Sequence, residues 1–140
     1  KISPDIEDSF IDKISNLLIK YNISAAIISN TTDKNRENLR NINKLEKGGL
    51  SGKPLNEKSN LLINKFFKIL KNEIKIIGVG GVDSGESAYE KIINGASIVQ
   101  LYTGMIYNGP NIANKISGEL IDILKNKGIK NISEIIGIKK

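Results

Sequence analysis

Two stretches carry the plainest chemical signal in this chain: Ile77-Gly78-Val79-Gly80-Gly81-Val82 and Leu101-Tyr102-Thr103-Gly104. Glycines at the end of a strand let backbone N–H groups approach a phosphate with no Cβ in the way. The same glycines would also serve a tight turn that needs positive φ, and the first motif alone leaves both readings open. The second motif adds N–H donors and a hydroxyl at the neighbouring strand end, and the pair together favours phosphate. The spacing is not the GxGxxG of a dinucleotide site, and no acidic ribose partner follows at the right distance.

Three further stretches hold groups that could bind. Gly48-Gly49-Leu50-Ser51-Gly52-Lys53-Pro54-Leu55 leads into a helix, where Pro54 suits the first turn and several N–H groups stay free. Three glycines in five residues could equally mean flexibility alone. Their order is not that of a P-loop, which argues against nucleoside triphosphates. Ser29-Asn30-Thr31-Thr32 offers an amide with donors and an acceptor, suited to a pyrimidine edge, although Asn is also a common turn former. Lys1 is either a cation buried on a strand, in need of an anionic partner, or a frayed end.

The elements that must position these groups follow from periodicity. Four short apolar runs each give way to an amphipathic helix. Lys1-Ile2-Ser3 precedes a helix near 7–20, with Phe10, Ile14, Leu17 and Leu18 on one stripe. The second strand, Ala25 to Ser29, has its helix late, near 56–71, with Leu62, Phe66, Ile69 and Leu70 aligned. Lys75 to Val79 runs through Gly80-Gly81 into a helix near 84–94, where Asp83 is expected to cap and Glu86 to reach back. Ser97 to Leu101 is the fourth strand. Met105-Ile106-Tyr107 is a candidate for a short extra helix after it. Gly109-Pro110 then opens a helix near 111–127 with Ile112, Ile116, Leu120, Ile123 and Leu124 in register, closed by Gly128. A short helix near 132–136 ends the pattern.

Strands alternating with helices predict right-handed crossovers and a parallel sheet. The fold class is α/β, and four βα units make half of a (β/α)8 barrel or a small open sheet. In the half-barrel reading the helices cover one face, and four more units are needed to close the ring. The chain opens at Lys1, as if inside a strand, so a preceding half is expected. Unpaired barrel edges would make the piece alone dimerise or aggregate. From Asn30 to about Leu55 there is little periodicity. A loop far longer than the usual 2–6 residues at a strand C-terminus reads as an active-site loop.

Composition excludes several classes. With no Cys and no His, the chain itself holds no disulfide, no usual zinc site, no His base and no Cys nucleophile, and no metal site is expected. The net charge of +6 raises nucleic acid as a partner. The lysines, however, are scattered over helix polar positions, with no interleaved aromatics to stack bases, so a solvated surface is expected and no nucleic-acid partner. No apolar run approaches the ~20 residues of a membrane span.

Taken in order, the matching stretches resemble the C-terminal half of dihydroorotate dehydrogenase, most closely its class 2, quinone-linked family. They are Lys1-Ile2-Ser3-Pro4-Asp5, Ser29-Asn30-Thr31-Thr32, Gly48 to Leu55, Ile76 to Gly81, and Gly95-Ala96-Ser97 through Gly109-Pro110. The resemblance implies that residues 1–140 are the C-terminal half of a single FMN-binding barrel domain. The complete enzyme would oxidise dihydroorotate to orotate in pyrimidine synthesis, with quinone as acceptor. Lys1 matches the lysine beside the flavin ring, where its charge would stabilise reduced, anionic flavin. Ser29, Gly52, Gly81, Tyr102 and Thr103 match further FMN contacts, the last three around the phosphate. Asn30 and Thr31 match residues that hold the pyrimidine.

The family's catalytic base lies in the first half of the barrel, so no catalytic residue is expected in this chain. The helical segment that meets quinone and membrane is also expected upstream, with the complete protein peripheral on the cytoplasmic side of the inner membrane. Ser51 to Leu55 favours class 2 over class 1, which uses fumarate or NAD. A class 1 or other FMN-dependent barrel oxidoreductase using fumarate or NAD, and a half-barrel that binds FMN or phosphate without catalysis, remain as alternatives.

Overall fold

Burial of the apolar stripes builds the molecule, seen here as a computed structural model that describes residues 1–34, 36–71 and 73–139. Its helices are α1 (Ile11–Lys20), α2 (Asn56–Leu70), α3 (Gly85–Ile93), α4 (Thr103–Asn108) and α5 (Ile112–Asn126). Its strands are β1 (Ala25–Ile28), β2 (Lys75–Val79) and β3 (Ile98–Gln100). The strands form one parallel sheet in the order β1-β2-β3. The main core lies between this sheet and the first two helices, where Ala26, Ile28 and Ile76 meet Ile11, Leu62, Ile63, Phe66 and Leu70. Each such large side chain, fully buried, contributes roughly 1.5–3 kcal/mol of hydrophobic stabilisation.

The helices cover one face, as a half-barrel requires. On the other face Ile27, Ile77 and Ile98 stand in register across the sheet, and Ile98 is 56% exposed. The expected first strand shrinks to a single parallel bridge, Ile2 to Ile28. The Ile2 N–H donates to Ile27 O at 2.9 Å and its carbonyl accepts from Asn30 N at 2.8 Å. The next donor in that ladder would be residue 4, which is Pro4 and has no N–H.

Two helical details differ from the sequence expectation. The buried stripe of α1 is Ile11 and Ser15, flanked by half-buried Ile14, Leu18 and Ile19. Phe10 and Leu17 are 47% and 50% exposed, and Phe10 belongs to a 3₁₀ turn (Asp8–Phe10) that precedes the helix. The cap of α3 is Ser84, not Asp83, and its reciprocal partner is Ser87, not Glu86. Ser84 Oγ accepts from Ser87 N at 3.2 Å and Ser87 Oγ accepts from Ser84 N at 3.0 Å. Asp83 contributes its backbone N–H, which donates to Ser87 Oγ at 3.0 Å. The extra helix expected around 105–107 is present as α4, and the pattern near 132–136 is a 3₁₀ turn, Ile132–Ile135.

The long loop is ordered by cross-links rather than by periodicity. Thr32 and Leu50 form an antiparallel bridge, N–H to O at 3.1 and 2.7 Å. Inside it, the Arg36 guanidinium donates to the carbonyls of Lys44 (3.1 Å), Glu46 (2.8 Å) and Gly48. Short 3₁₀ turns occupy Ile42–Leu45 and Lys53–Leu55.

Candidate functional site

The C-terminal ends of the strands and the long loop enclose a cavity of about 930 Å³, the size range of small-molecule and cofactor sites. The eight residues matched to cofactor and substrate contacts, Lys1, Ser29, Asn30, Thr31, Gly52, Gly81, Tyr102 and Thr103, line this one cavity. Lys1 lines the cavity and is exposed among the described residues.

One wall is the turn after β2. Gly80 and Gly81 have φ of +122° and +74°, and Gly81 lies so close to α2 that a Cβ there would sit 2.6 Å from Asn56 Cβ and 2.8 Å from its backbone. The turn is tied to α2 through its carbonyls. Ser59 Oγ donates to Gly80 O at 3.2 Å, and Asn56 Nδ2 donates to Gly81 O at 3.0 Å. In a trans peptide the N–H points opposite to the carbonyl. Both carbonyls turn toward α2, so the N–H groups of Gly81 and Val82 point away from it, and neither donates to another group among the described residues. Unpaired donors on a glycine turn form an anion-binding concavity.

The loop's return strand meets the fourth unit at the same place. Gly52, with φ +78°, packs on Thr103, where a Cβ would come within 2.9 Å of the methyl. Thr103 Oγ1 donates to Ser51 Oγ at 2.9 Å. Two residues some fifty positions apart in sequence are thereby brought to one corner. On the other side of the cavity Gly49 presses on the Thr31 hydroxyl.

Ser29 holds an orphan. The residue is 2% exposed, and its hydroxyl has no hydrogen-bond partner among the described residues. A buried hydroxyl left unpaired costs about 1–3 kcal/mol, which a ligand oxygen or nitrogen in this cavity would relieve. Lining cations outnumber anions: Lys1, Arg36, Arg40, Lys44, Lys47 and Lys53 against Glu46 and Asp83. Glycine turn, orphan hydroxyl and basic lining together fit an anionic cofactor such as a flavin mononucleotide. Among the described residues no cluster of His, Cys, Asp or Glu could hold a metal ion.

The floor beneath the site was not legible in the sequence. Asp5 accepts from Thr32 Oγ1 at 2.6 Å, from Asp33 N at 2.9 Å and from Lys58. Burial alone would raise the Asp5 pKa, but these hydrogen bonds and the Lys58 charge hold it at about 2. The cluster locks the start of the loop directly beside Asn30 and Thr31. The expectation that the lysines are solvated also fails at Lys91, which is 0% exposed.

Comparison with known proteins bears on what such a cavity serves. A model of the family "Dihydroorotate dehydrogenase" matches residues 1–124. The chain is 39% identical over 138 residues to a protein of Natronomonas pharaonis named dihydroorotate dehydrogenase (quinone), covering 99% of this chain and 39% of that protein. It is 50% identical over 116 residues to a protein of the same name from Wigglesworthia glossinidia brevipalpis, covering 83% and 34%. A crystal structure of ligand-free DHODH from Eimeria tenella superposes with a TM-score of 0.94 at 38% identity, over 98% of this chain and 38% of that one. The chain therefore spans well under half the length of the relatives it matches.

Proposed function

Because the chain belongs to the dihydroorotate dehydrogenase family, we propose that the complete protein oxidises dihydroorotate to orotate with quinone as acceptor, in pyrimidine synthesis. Residues 1–140 are, in this reading, the C-terminal half of one barrel domain that binds FMN. FMN, when bound, supplies the hydride acceptor and passes the electrons on to quinone.

The observation that carries the reading is the glycine turn at Gly80-Gly81, with its N–H donors unpaired and its neighbours Thr103 and Gly52 in the same cavity. Gly81, Tyr102 and Thr103 would bind the phosphate, with Gly52 letting the loop approach closely. The unpaired Ser29 hydroxyl would bond the ring system, and the Lys1 ammonium would stand beside it as a counter-charge. Asn30 and Thr31 would orient the pyrimidine, held in place by the Asp5–Thr32 bond. The proton from the substrate would go to a base outside this chain.

Quinone and the membrane would be met by another part of the complete protein, peripheral on the cytoplasmic side of the inner membrane. Among the described residues no helix is long and apolar enough to cross a bilayer. The test is to express the full-length gene, measure the flavin content, and follow dihydroorotate-dependent quinone reduction. FMN-loaded protein that reduces no quinone would refute the proposal.

A further inference from the structure

Lys91 is the charged side chain that the functional reading leaves unused. It stands on α3, 0% exposed, and forms no ion pair among the described residues. Its ammonium donates to Asn60 Oδ1 at 2.6 Å, to Ser59 Oγ at 2.7 Å and to the Asn56 carbonyl at 3.4 Å. Three acceptors match the three protons of an ammonium, one more than a neutral amine can offer. Gly78 makes the room, since a Cβ there would come within 3.2 Å of the lysine Cδ.

The partners of Lys91 are the groups that grip the glycine turn. Ser59, bonded to the ammonium, shares its one hydroxyl proton between Gly80 O at 3.2 Å and Asn56 O at 3.0 Å. Asn60, also bonded to it, donates through Nδ2 to Asn56 Oδ1 at 3.0 Å, and Asn56 donates to Gly81 O. Both carbonyls of the turn are therefore one or two hydrogen bonds from a buried positive charge. We infer that Lys91 is a positioning residue for phosphate: through Ser59, Asn60 and Asn56 it holds the Gly80 and Gly81 carbonyls back and so aims the N–H groups of Gly81 and Val82 into the cavity. A buried ammonium with no ion-pair partner is costly, and a phosphate dianion bound at the turn adds opposite charge to the more distant charge of Glu90. Burial lowers the Lys91 pKa to about 7, against the charge of Glu90, which raises it. That direction is expected of any lysine buried away from water without an ion-pair partner.

The inference rests on the flavin-phosphate reading above, and riboflavin, which lacks the phosphate, separates the two. Apo full-length protein is titrated with FMN and with riboflavin by quenching of flavin fluorescence, for wild type, Lys91→Met and Ser59→Ala. Lys91→Met keeps the stem and removes charge and donors. It should weaken FMN on the order of tenfold while leaving riboflavin affinity unchanged, and Ser59→Ala, which cuts a single link, should show a smaller loss selective for FMN. Loss of both ligands alike, or of neither, in folded variants overturns the role of Lys91. If Lys91→Met does not fold, Ser59→Ala decides by the same comparison. If wild type itself binds FMN no better than riboflavin, the phosphate reading falls, and this inference with it.

Discussion

Replacing Gly81 with Ala probes the turn at its tightest point. Two costs add there. The first is conformational: at φ +74° an L-residue is disfavoured by about 1–2 kcal/mol. The second is steric, because the new methyl would sit 2.6 Å from Asn56 Cβ and 2.8 Å from the Asn56 backbone. Overpacking against backbone that cannot swing aside costs roughly 1–3 kcal/mol. Gly128→Ala separates the two. Gly128 has φ +68° and nothing within 4 Å of the added methyl, so it carries the conformational cost alone. Urea unfolding of the apo full-length protein should place Gly81→Ala below Gly128→Ala by about 1–3 kcal/mol. FMN affinity should fall for Gly81→Ala and stay unchanged for Gly128→Ala, since the methyl pushes the turn off Asn56. Equal destabilisation by the two substitutions would refute the claim that the turn is wedged against α2.

Three further expectations rest on separate features. Ser29→Ala should leave the apo protein as stable as wild type or more so, by up to about 1 kcal/mol, because its hydroxyl has no partner. The same change should weaken FMN, and an apo protein that loses stability would contradict the orphan assignment. Asp5, with its pKa held at about 2 against an ordinary 3.8, contributes stability that is complete above pH 5 and is lost as pH falls from about 4 to about 2, worth about 1 kcal/mol after solvent screening of this part-exposed cluster. Acid titration of Asp5→Asn should show a correspondingly shallower decline; parallel curves for variant and wild type would count against it. Arg36→Ala should release the loop's return without touching the core. Limited proteolysis between residues 37 and 47 should speed up several-fold while the urea midpoint stays within ~0.5 kcal/mol of wild type.

Periodicity placed the large helices well because each buries a stripe. The pattern near 56–71 is α2 at Asn56–Leu70, and that near 111–127 is α5 at Ile112–Asn126. Features set by contacts across the chain were beyond it. The burial of α1 turned on where the helix begins, one residue after Phe10. The Ser84–Ser87 cap was hidden behind the acidic pair Asp83 and Glu86, which has the same three-residue spacing one register earlier. The Thr32–Leu50 bridge spans a stretch with no periodic signal. Gly52 and Thr103 could be nominated by the family resemblance, but their mutual contact could not be read from their spacing. Lys91 was invisible because a lysine on a helix is nearly always solvated. Ser59-Asn60 ends the polar run Asn56-Glu57-Lys58 that opens α2, so its burial around a charge left no mark in the sequence.

The Thr32–Leu50 bridge and the Arg36 clasp also have a consequence for tolerance to change. Together they decouple the excursion's length from the geometry at its base, since both ties close the chain around residues 37–43. Doubling a flexible loop costs only about 0.6 kcal/mol in closure entropy. An epitope tag or a reporter peptide grafted between Glu37 and Asn38, neither of which lines the cavity, would therefore leave Asn30 and Gly52 where they are. This makes the stretch a natural handle for labelling the protein next to its cavity.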